Sequence, residues 1–156
     1  MDARTDAQDE LLQAVTERCR DRLAAEEAAA LTDFAAQVLH RAIHEAVEER
    51  SAEDIYGALL SLWKFAAQRK PGSGKVRAYN PKLDEHGWSS PLTISETGND
   101  NMPSLVDSIV SALGQFDGQI HELIHPVVHV VRDAEGRLQG CVDRGAEGAI
   151  AESVIQ

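Results

Sequence analysis

Residues 90–132 read SPLTISETGNDNMPSLVDSIVSALGQFDGQIHELIHPVVHVVR, and this stretch decides the fold class of the chain. From Leu92 to Thr97 the side chains alternate with a period of two, which predicts a strand with one buried face. Residues 98–101, GNDN, are four consecutive turn formers. Pro103 fits the first turn of a helix, because the N–H that proline lacks would have no partner there.

The second half of the stretch predicts a helix followed by another strand. Apolar residues recur at helical spacing, and residues 114–118 end the helix; they are Leu105, Val106, Ile109, Val110 and Leu113. From Ile120 onward, β-branched residues predict a strand. The pattern is therefore one strand–helix–strand unit with two neighbouring strands, and the N-terminus of its helix faces the turn.

This turn is the candidate binding site. A helix N-terminus carries free N–H groups and a partial positive charge, so it can receive a carboxylate or another anion. In one interpretation the asparagines and the aspartate only satisfy these N–H groups and shape the turn. In the other, a ligand carboxylate meets the N–H groups of Ser104 and Leu105 while Asp100 accepts from its ammonium. The candidate effector or interface residues are Asn99, Asp100, Asn101, Met102, Pro103, Ser104 and Leu105.

An ordered set of short blocks gives the chain a family resemblance. The blocks are Tyr79-Asn80-Pro81, Gly87-Trp88, Ser90-Pro91, residues 99–108 (NDNMPSLVDS) and Ile124-His125-Pro126-Val127. In this order they resemble the N-terminal region of the large bacterial NAD-specific glutamate dehydrogenases, over about residues 50–138. Residues 51–58, SAEDIYGA, also resemble a block of that family.

The resemblance implies an ACT-like domain, a ferredoxin-like βαββαβ module that binds amino acids or mediates assembly. The parent enzyme would convert L-glutamate, NAD and water to 2-oxoglutarate, ammonia and NADH. This chain would be its regulatory or assembly part, without a catalytic site and without a cofactor, since NAD would bind in the catalytic domain. The implied partners are the downstream domains, an amino-acid effector and further copies in a homo-oligomer. A stand-alone amino-acid-sensing or protein-interaction module is the alternative.

The flanking sequence completes an α+β prediction. Residues 1–70 predict a cap of about three helices, the second with an apolar stripe from Leu31 to Val47 and the third preceded by the capping residues 51–54. Residues 71–156 predict the ACT-like domain, with a hairpin turn at 133–136 and a returning strand at 138–142. Residues 150–155 form an apolar segment that stops. We therefore expect an incomplete ferredoxin-like βαββ sheet, truncated at its C-terminal end and lacking the fourth strand and the second helix.

Composition narrows the function classes. With 15 basic and 26 acidic residues the net charge is −11, so nucleic acids and anionic membranes are not expected partners. The sequence contains two isolated cysteines, Cys19 and Cys141, which suits a reducing cytoplasm. No apolar run approaches membrane-spanning length.

One motif points to different chemistry. His121-Glu122-Leu123-Ile124-His125 matches the H-E-x-x-H signature of zinc proteases, which needs both histidines on one helical face, about 6 Å apart along the axis. Pro126 and the following valines instead predict a strand, in which the two histidines would lie about 13 Å apart. A zinc hydrolase is the third function considered, after the dehydrogenase part and the stand-alone module. We expect no metal site, and we expect His121, His125 and His129 to share a half-buried strand face or an interface.

Overall fold

The N-terminal part of the chain forms packed helices. The structure, a computed structural model, describes residues 3–41 and 50–156. Helix α1 spans Ala3–Arg22, α2 spans Ala25–Arg41 and α3 spans Ala52–Ala66. The stripe predicted for the second helix is confirmed as far as Arg41, and its continuation to Val47 lies outside the described residues. The contacts between α1 and α2 bury the side chains of Val15, Cys19, Leu31 and Phe34 completely.

Helix α3 begins where the capping residues predict. The hydroxyl of Ser51 accepts from the backbone N–H of Asp54 at 3.1 Å, which satisfies one of the free donors of the first turn. The carboxylate of Glu53, in the same turn, accepts a hydrogen bond from Nε of Arg18 at 3.0 Å and so links α1 to α3. The buried face of α3 includes Ile55, Leu59, Leu62 and Phe65.

The C-terminal part is a five-stranded antiparallel sheet with the order β1-β2-β5-β3-β4. The strands are β1 Lys75–Tyr79, β2 Ile94–Asp100, β3 Val127–Arg132, β4 Leu138–Cys141 and β5 Ile150–Ile155. A short helix α4, Leu83–His86, follows β1, and helix α5, Leu105–Gly114, connects β2 to β3. The predicted hairpin is confirmed: β4 pairs back on β3, with Val130 opposite Cys141.

The expectation that a fourth strand is missing is wrong. The last apolar segment is strand β5, and it lies at the centre of the sheet between β2 and β3. The two strands of the predicted strand–helix–strand unit are therefore separated by one strand instead of being neighbours. They run parallel to each other because both are antiparallel to β5, which makes β2–α5–β3 a split βαβ unit. Residues 142–149, between β4 and β5, form turns.

Two element boundaries also differ from the prediction. Strand β2 continues through Gly98 to Asp100, because Gly98 pairs with Lys75 on one side and with Val154 on the other. The turn therefore starts only at Asn101. Strand β3 begins at Val127 and not at Ile120, although Ile124 already exchanges two backbone hydrogen bonds with Gln156, at 2.8 and 2.9 Å.

The N-terminal helices cover one face of the sheet, and these helices and the sheet share one hydrophobic core. Val128, Val130 and Val154 belong to the same buried cluster as Leu31 and Phe65. The predicted boundary between a helical segment, residues 1–70, and an ACT-like domain, residues 71–156, stays a prediction. Among the helices in residues 3–41 and 50–156, none is long and apolar enough to cross a membrane.

Candidate effector or interface turn

The seven candidate residues do not converge on one point. Asn99 and Asp100 are the last residues of β2, residues 101–104 form the connection, and Leu105 is the first residue of α5. Successive side chains at the end of a strand point to opposite faces. As a result, Asp100 contacts residues on the helix-covered face, whereas Asn101 contacts Ser153.

Asp100 is already neutralised by groups within the chain. Its Oδ1 lies 2.7 Å from Nη2 of Arg69, and its Oδ2 accepts from the backbone N–H of Gly72 at 2.8 Å. The hydrogen bond from Arg69 is the main reason that the pKa of Asp100 is lowered. The carboxylate that was expected to receive a ligand ammonium therefore holds the segment after α3 against β2.

Arg69 also contacts the central strand. Its Nη2 lies 2.7 Å from Oε1 of Glu152, and its Nη1 donates to the carbonyl of Ser73 at 2.7 Å. The backbone N–H of Arg69 donates to the carbonyl of Gly136 at 3.0 Å. A β-carbon on Gly136 would lie 2.7 Å from the carbonyl oxygen of Arg69, and its φ of +84° also favours glycine. The segment that follows α3 is thus fixed to β2, β5 and the β3–β4 hairpin.

Glu152 is the centre of this buried network. Arg132 donates to both of its carboxylate oxygens, and further donates to the carbonyls of Gly136 and Ala66 at 2.9 and 2.8 Å. Burial alone would raise the pKa of Glu152, but the hydrogen bonds from Arg132 and Arg69 outweigh burial, and the pKa is lowered. The two buried guanidinium groups are compensated by two carboxylates, the buried Glu152 and the partly exposed Asp100.

A second buried carboxylate lies in β2. Glu96 has no solvent exposure; Arg77 donates to its Oε2, and Tyr79 and Gln156 donate to its Oε1 at 3.2 and 3.1 Å. This arrangement joins β1, β2 and the residue after β5. Both acidic centres are saturated by protein donors, so their geometry supports a structural role in holding strands together.

The roles of Arg69, Glu96 and Glu152 were not predicted from the sequence. The only sequence signal was a carboxylate inside each of two strand-like runs, which is uncommon for a buried position without a cationic partner. The partners lie far away in the sequence, so the pairing itself had no local signature.

Helix α5 is the least covered part of the site. None of its residues is buried, and its apolar positions Leu105, Val106, Ile109 and Leu113 are only half-buried. Its N-cap residue Ser104 has a φ of +62° and makes no side-chain capping bond. Before and after the helix, Met102 is 48% exposed and Phe116 is 82% exposed. These side chains can offer an apolar surface to another protein segment.

The H-E-x-x-H residues lie in an extended segment and not on a helix. Residues 121–126 have no regular secondary structure, so the helical spacing that a zinc protease requires is not formed. His121 is exposed, while Nε2 of His125 lies 3.2 Å from the hydroxyl of Ser153. Only His129 belongs to β3, so the three histidines do not share one strand. Within the part of the chain that the structure describes, no three His, Cys, Asp or Glu side chains are placed to hold a metal ion.

Comparison with known proteins identifies the family. Residues 34–156 match the family described as glutamate dehydrogenase, ACT1 domain. An NAD-specific glutamate dehydrogenase of Halomonas elongata is 37% identical over 137 residues, which cover 88% of this chain and 8% of the relative. One of Pseudomonas aeruginosa is 31% identical over 118 residues, which cover 76% of this chain and 7% of the relative. No solved structure matches.

The matches agree with the fold. Helices packed on an antiparallel sheet that contains a split βαβ unit confirm the predicted α+β, ACT-like class. The chain spans less than a tenth of the length of these two relatives. The family model covers most of this chain, and the resemblance seen in the residue blocks is confirmed. This chain belongs to the ACT1-domain family of glutamate dehydrogenases.

Proposed function

We propose that this chain is the N-terminal assembly part of an NAD-specific glutamate dehydrogenase. The enzyme converts L-glutamate, NAD and water to 2-oxoglutarate, ammonia and NADH, with the NAD site and the catalytic residues in other parts of the polypeptide. The proposed partners are the downstream domains and, through them, further copies of the enzyme. Two unpaired cysteines, Cys19 and Cys141, support a location in the cytoplasm.

One contrast supports assembly over ligand sensing. Two side chains of the candidate turn already have partners within the chain: Asp100 contacts Arg69 and Gly72, and Asn101 contacts Ser153. The apolar side chains around α5, in contrast, are only partly covered. A surface whose hydrogen bonds are internal and whose apolar groups are open suits contact with protein better than recognition of a small zwitterion.

The test uses the Halomonas elongata relative in three forms: intact, without the segment that matches this chain, and with this chain in place of that segment. Sedimentation velocity measures the assembly state, and glutamate-dependent reduction of NAD measures activity. We expect the shortened form to assemble incorrectly and this chain to restore the intact state. Equal assembly of the intact and shortened forms would contradict the proposal.

Sensing of an amino acid keeps one observation in its favour, the absence of a capping side chain at the first turn of α5. Calorimetric titration of the chain with a panel of amino acids tests it. Binding heat that disappears in Asp100→Asn would support an effector site at the turn. Heat that is unaffected by this substitution would place any bound amino acid elsewhere.

A further inference from the structure

Exposed large apolar side chains are concentrated around α5. Within residues 102–120 these are Met102, Val110, Phe116 and Ile120, which are 48, 36, 82 and 42% exposed. We call these four residues the α5 surface. Other exposed large apolar residues in the described part of the chain are Val76 and Leu83, and they lie before β2.

Helix α5 is short, and little of its surface is packed against the rest of the chain. It has 10 residues, of which none is buried. Helices of this length are marginal in water, and in proteins their stability comes mainly from packing of an apolar face. The half-buried positions Ile109 and Leu113 supply part of that packing within the chain, and a partner that covers Val110 and Phe116 would supply more.

The charges around this surface restrict its partner. The sequence contains no lysine or arginine from residue 83 to residue 131. Asp107 on α5 and Asp117 directly after Phe116 are both exposed. A two-fold contact between two copies of this surface would bring these aspartates into one interface without a cation from the same stretch. Like charges brought together at an interface disfavour the complex, whereas lysine or arginine at its rim would favour it.

We propose that the α5 surface docks on an apolar surface bordered by lysine or arginine in another module of the same glutamate dehydrogenase polypeptide, and not on a second copy of this chain. The proposal rests on the proposed function and specifies how the assembly part attaches. The relatives are long enough to contain such a module, since the matched segment is only 8% of the Halomonas elongata protein.

Hydrogen exchange tests the docking directly. The amides of residues 105–116 are compared in the isolated chain and in the Halomonas elongata enzyme that carries this chain in place of its matched segment. We expect exchange to be slower by about tenfold or more in the chimera, because docking suppresses local opening of α5. Phe116→Asp should abolish the difference. Val76→Asp, which places the same charge at another exposed apolar position, should leave it intact.

The charge requirement has its own variants. Asp107→Lys together with Asp117→Lys should reduce the protection of α5, and added salt should lessen the effect of the substitution. Asp84→Lys together with Glu85→Lys makes the same charge change elsewhere and should have no effect. Equal exchange in the isolated chain and the chimera, or protection that survives Phe116→Asp, would overturn the proposal.

Two further outcomes are decisive. If the isolated chain forms a dimer that Phe116→Asp dissociates, the surface joins two copies and the proposal fails. If this chain restores assembly of the shortened enzyme while α5 exchanges as in the isolated chain, the proposed function stands and the docking inference fails. Circular dichroism and the urea midpoint of each isolated variant verify that the variant is folded.

Discussion

Nε of Arg132 lies 2.7 Å from Oε1 of Glu152, and Nη2 of Arg132 lies 2.9 Å from Oε2, so the two residues form a bidentate ion pair. Their side chains are 1% and 2% exposed. The pair joins β3 to β5, and Arg69 adds the segment after α3. Glu152 therefore links the central strand β5 both to β3 and to the segment that follows the N-terminal helices.

Replacing Glu152 should destabilise the fold strongly. Glu152→Gln leaves Arg69 and Arg132 buried without their shared carboxylate, so we expect the free energy of unfolding to fall by about 3 kcal/mol. Urea unfolding followed by circular dichroism measures the change. Glu147→Gln is the matched control, because Glu147 is exposed in the loop before β5 and its change should stay within about 0.5 kcal/mol. Equal effects of the two substitutions would contradict the assigned role.

The same carboxylates predict how stability depends on pH. The pKa values of Asp100 and Glu152 are below their ordinary values of 3.8 and 4.5: Arg69 lowers that of Asp100, and Arg132 and Arg69 outweigh burial at Glu152. Below these ordinary values the unfolded chain binds more protons than the folded chain. The stabilisation is therefore present above about pH 5 and is lost as the pH falls through the lowered values.

Urea midpoints measured between about pH 3 and pH 6 test this dependence. We expect the decrease towards low pH to become shallower in Asp100→Asn, since one of the two titrating groups is removed. Glu147→Gln should keep the slope of the original chain. An unchanged slope in Asp100→Asn would show that its ion pair with Arg69 does not contribute to acid sensitivity.

Gly57 should not tolerate a side chain. A β-carbon there would lie 2.5 Å from Cβ of Trp88 and 3.2 Å from the carbonyl oxygen of Gly87, so Gly57→Ala must push α3 away from the loop that carries buried Trp88. We expect a loss of about 1–3 kcal/mol in urea unfolding. Gly114→Ala provides the comparison: no heavy atom lies within 4 Å of its β-carbon, and alanine favours a helix. A neutral Gly57→Ala would mean that the loop does not pack as described.

Both cysteine thiols should react slowly in the folded chain. Burial raises the pKa of Cys141 to about 12, and it also raises the pKa of Cys19. Since the thiolate is the reactive form, Ellman's reagent at pH 8 should modify neither thiol at the rate seen in urea. The single variants Cys19→Ala and Cys141→Ala separate the two rates. Reaction of either folded thiol at its unfolded rate would contradict its placement.

Local patterns were sufficient for the longer helices and the hairpin, but not for the four-residue helix α4. The stripe that begins at Leu105 and Val106 predicts α5, the serine at position 51 predicts the start of α3, and residues 133–136 predict the turn before β4. In each case the signal lies within a few residues of the element that it specifies. The family resemblance supplied the ACT-like class.

The sheet order and the role of Asp100 could not be predicted in the same way. β5 has a glutamate and a serine at its centre, Glu152 and Ser153, and it pairs with residues of β2 and β3 that lie 20–58 positions earlier in the sequence. Asp100 lies among turn formers in the sequence, but its side chain is held by Arg69, which precedes β1. Long-range pairing and buried charge compensation leave little trace in a single sequence.

The central position of β5 has a consequence for biosynthesis. As the ribosome releases the polypeptide, the β1–β2 and β3–β4 pairs emerge before the strand that joins them. Two-stranded ribbons are marginally stable alone, and their open edges attract other chains. Nascent polypeptides that have not yet extended past residues 150–155 are therefore the species most in need of chaperone protection.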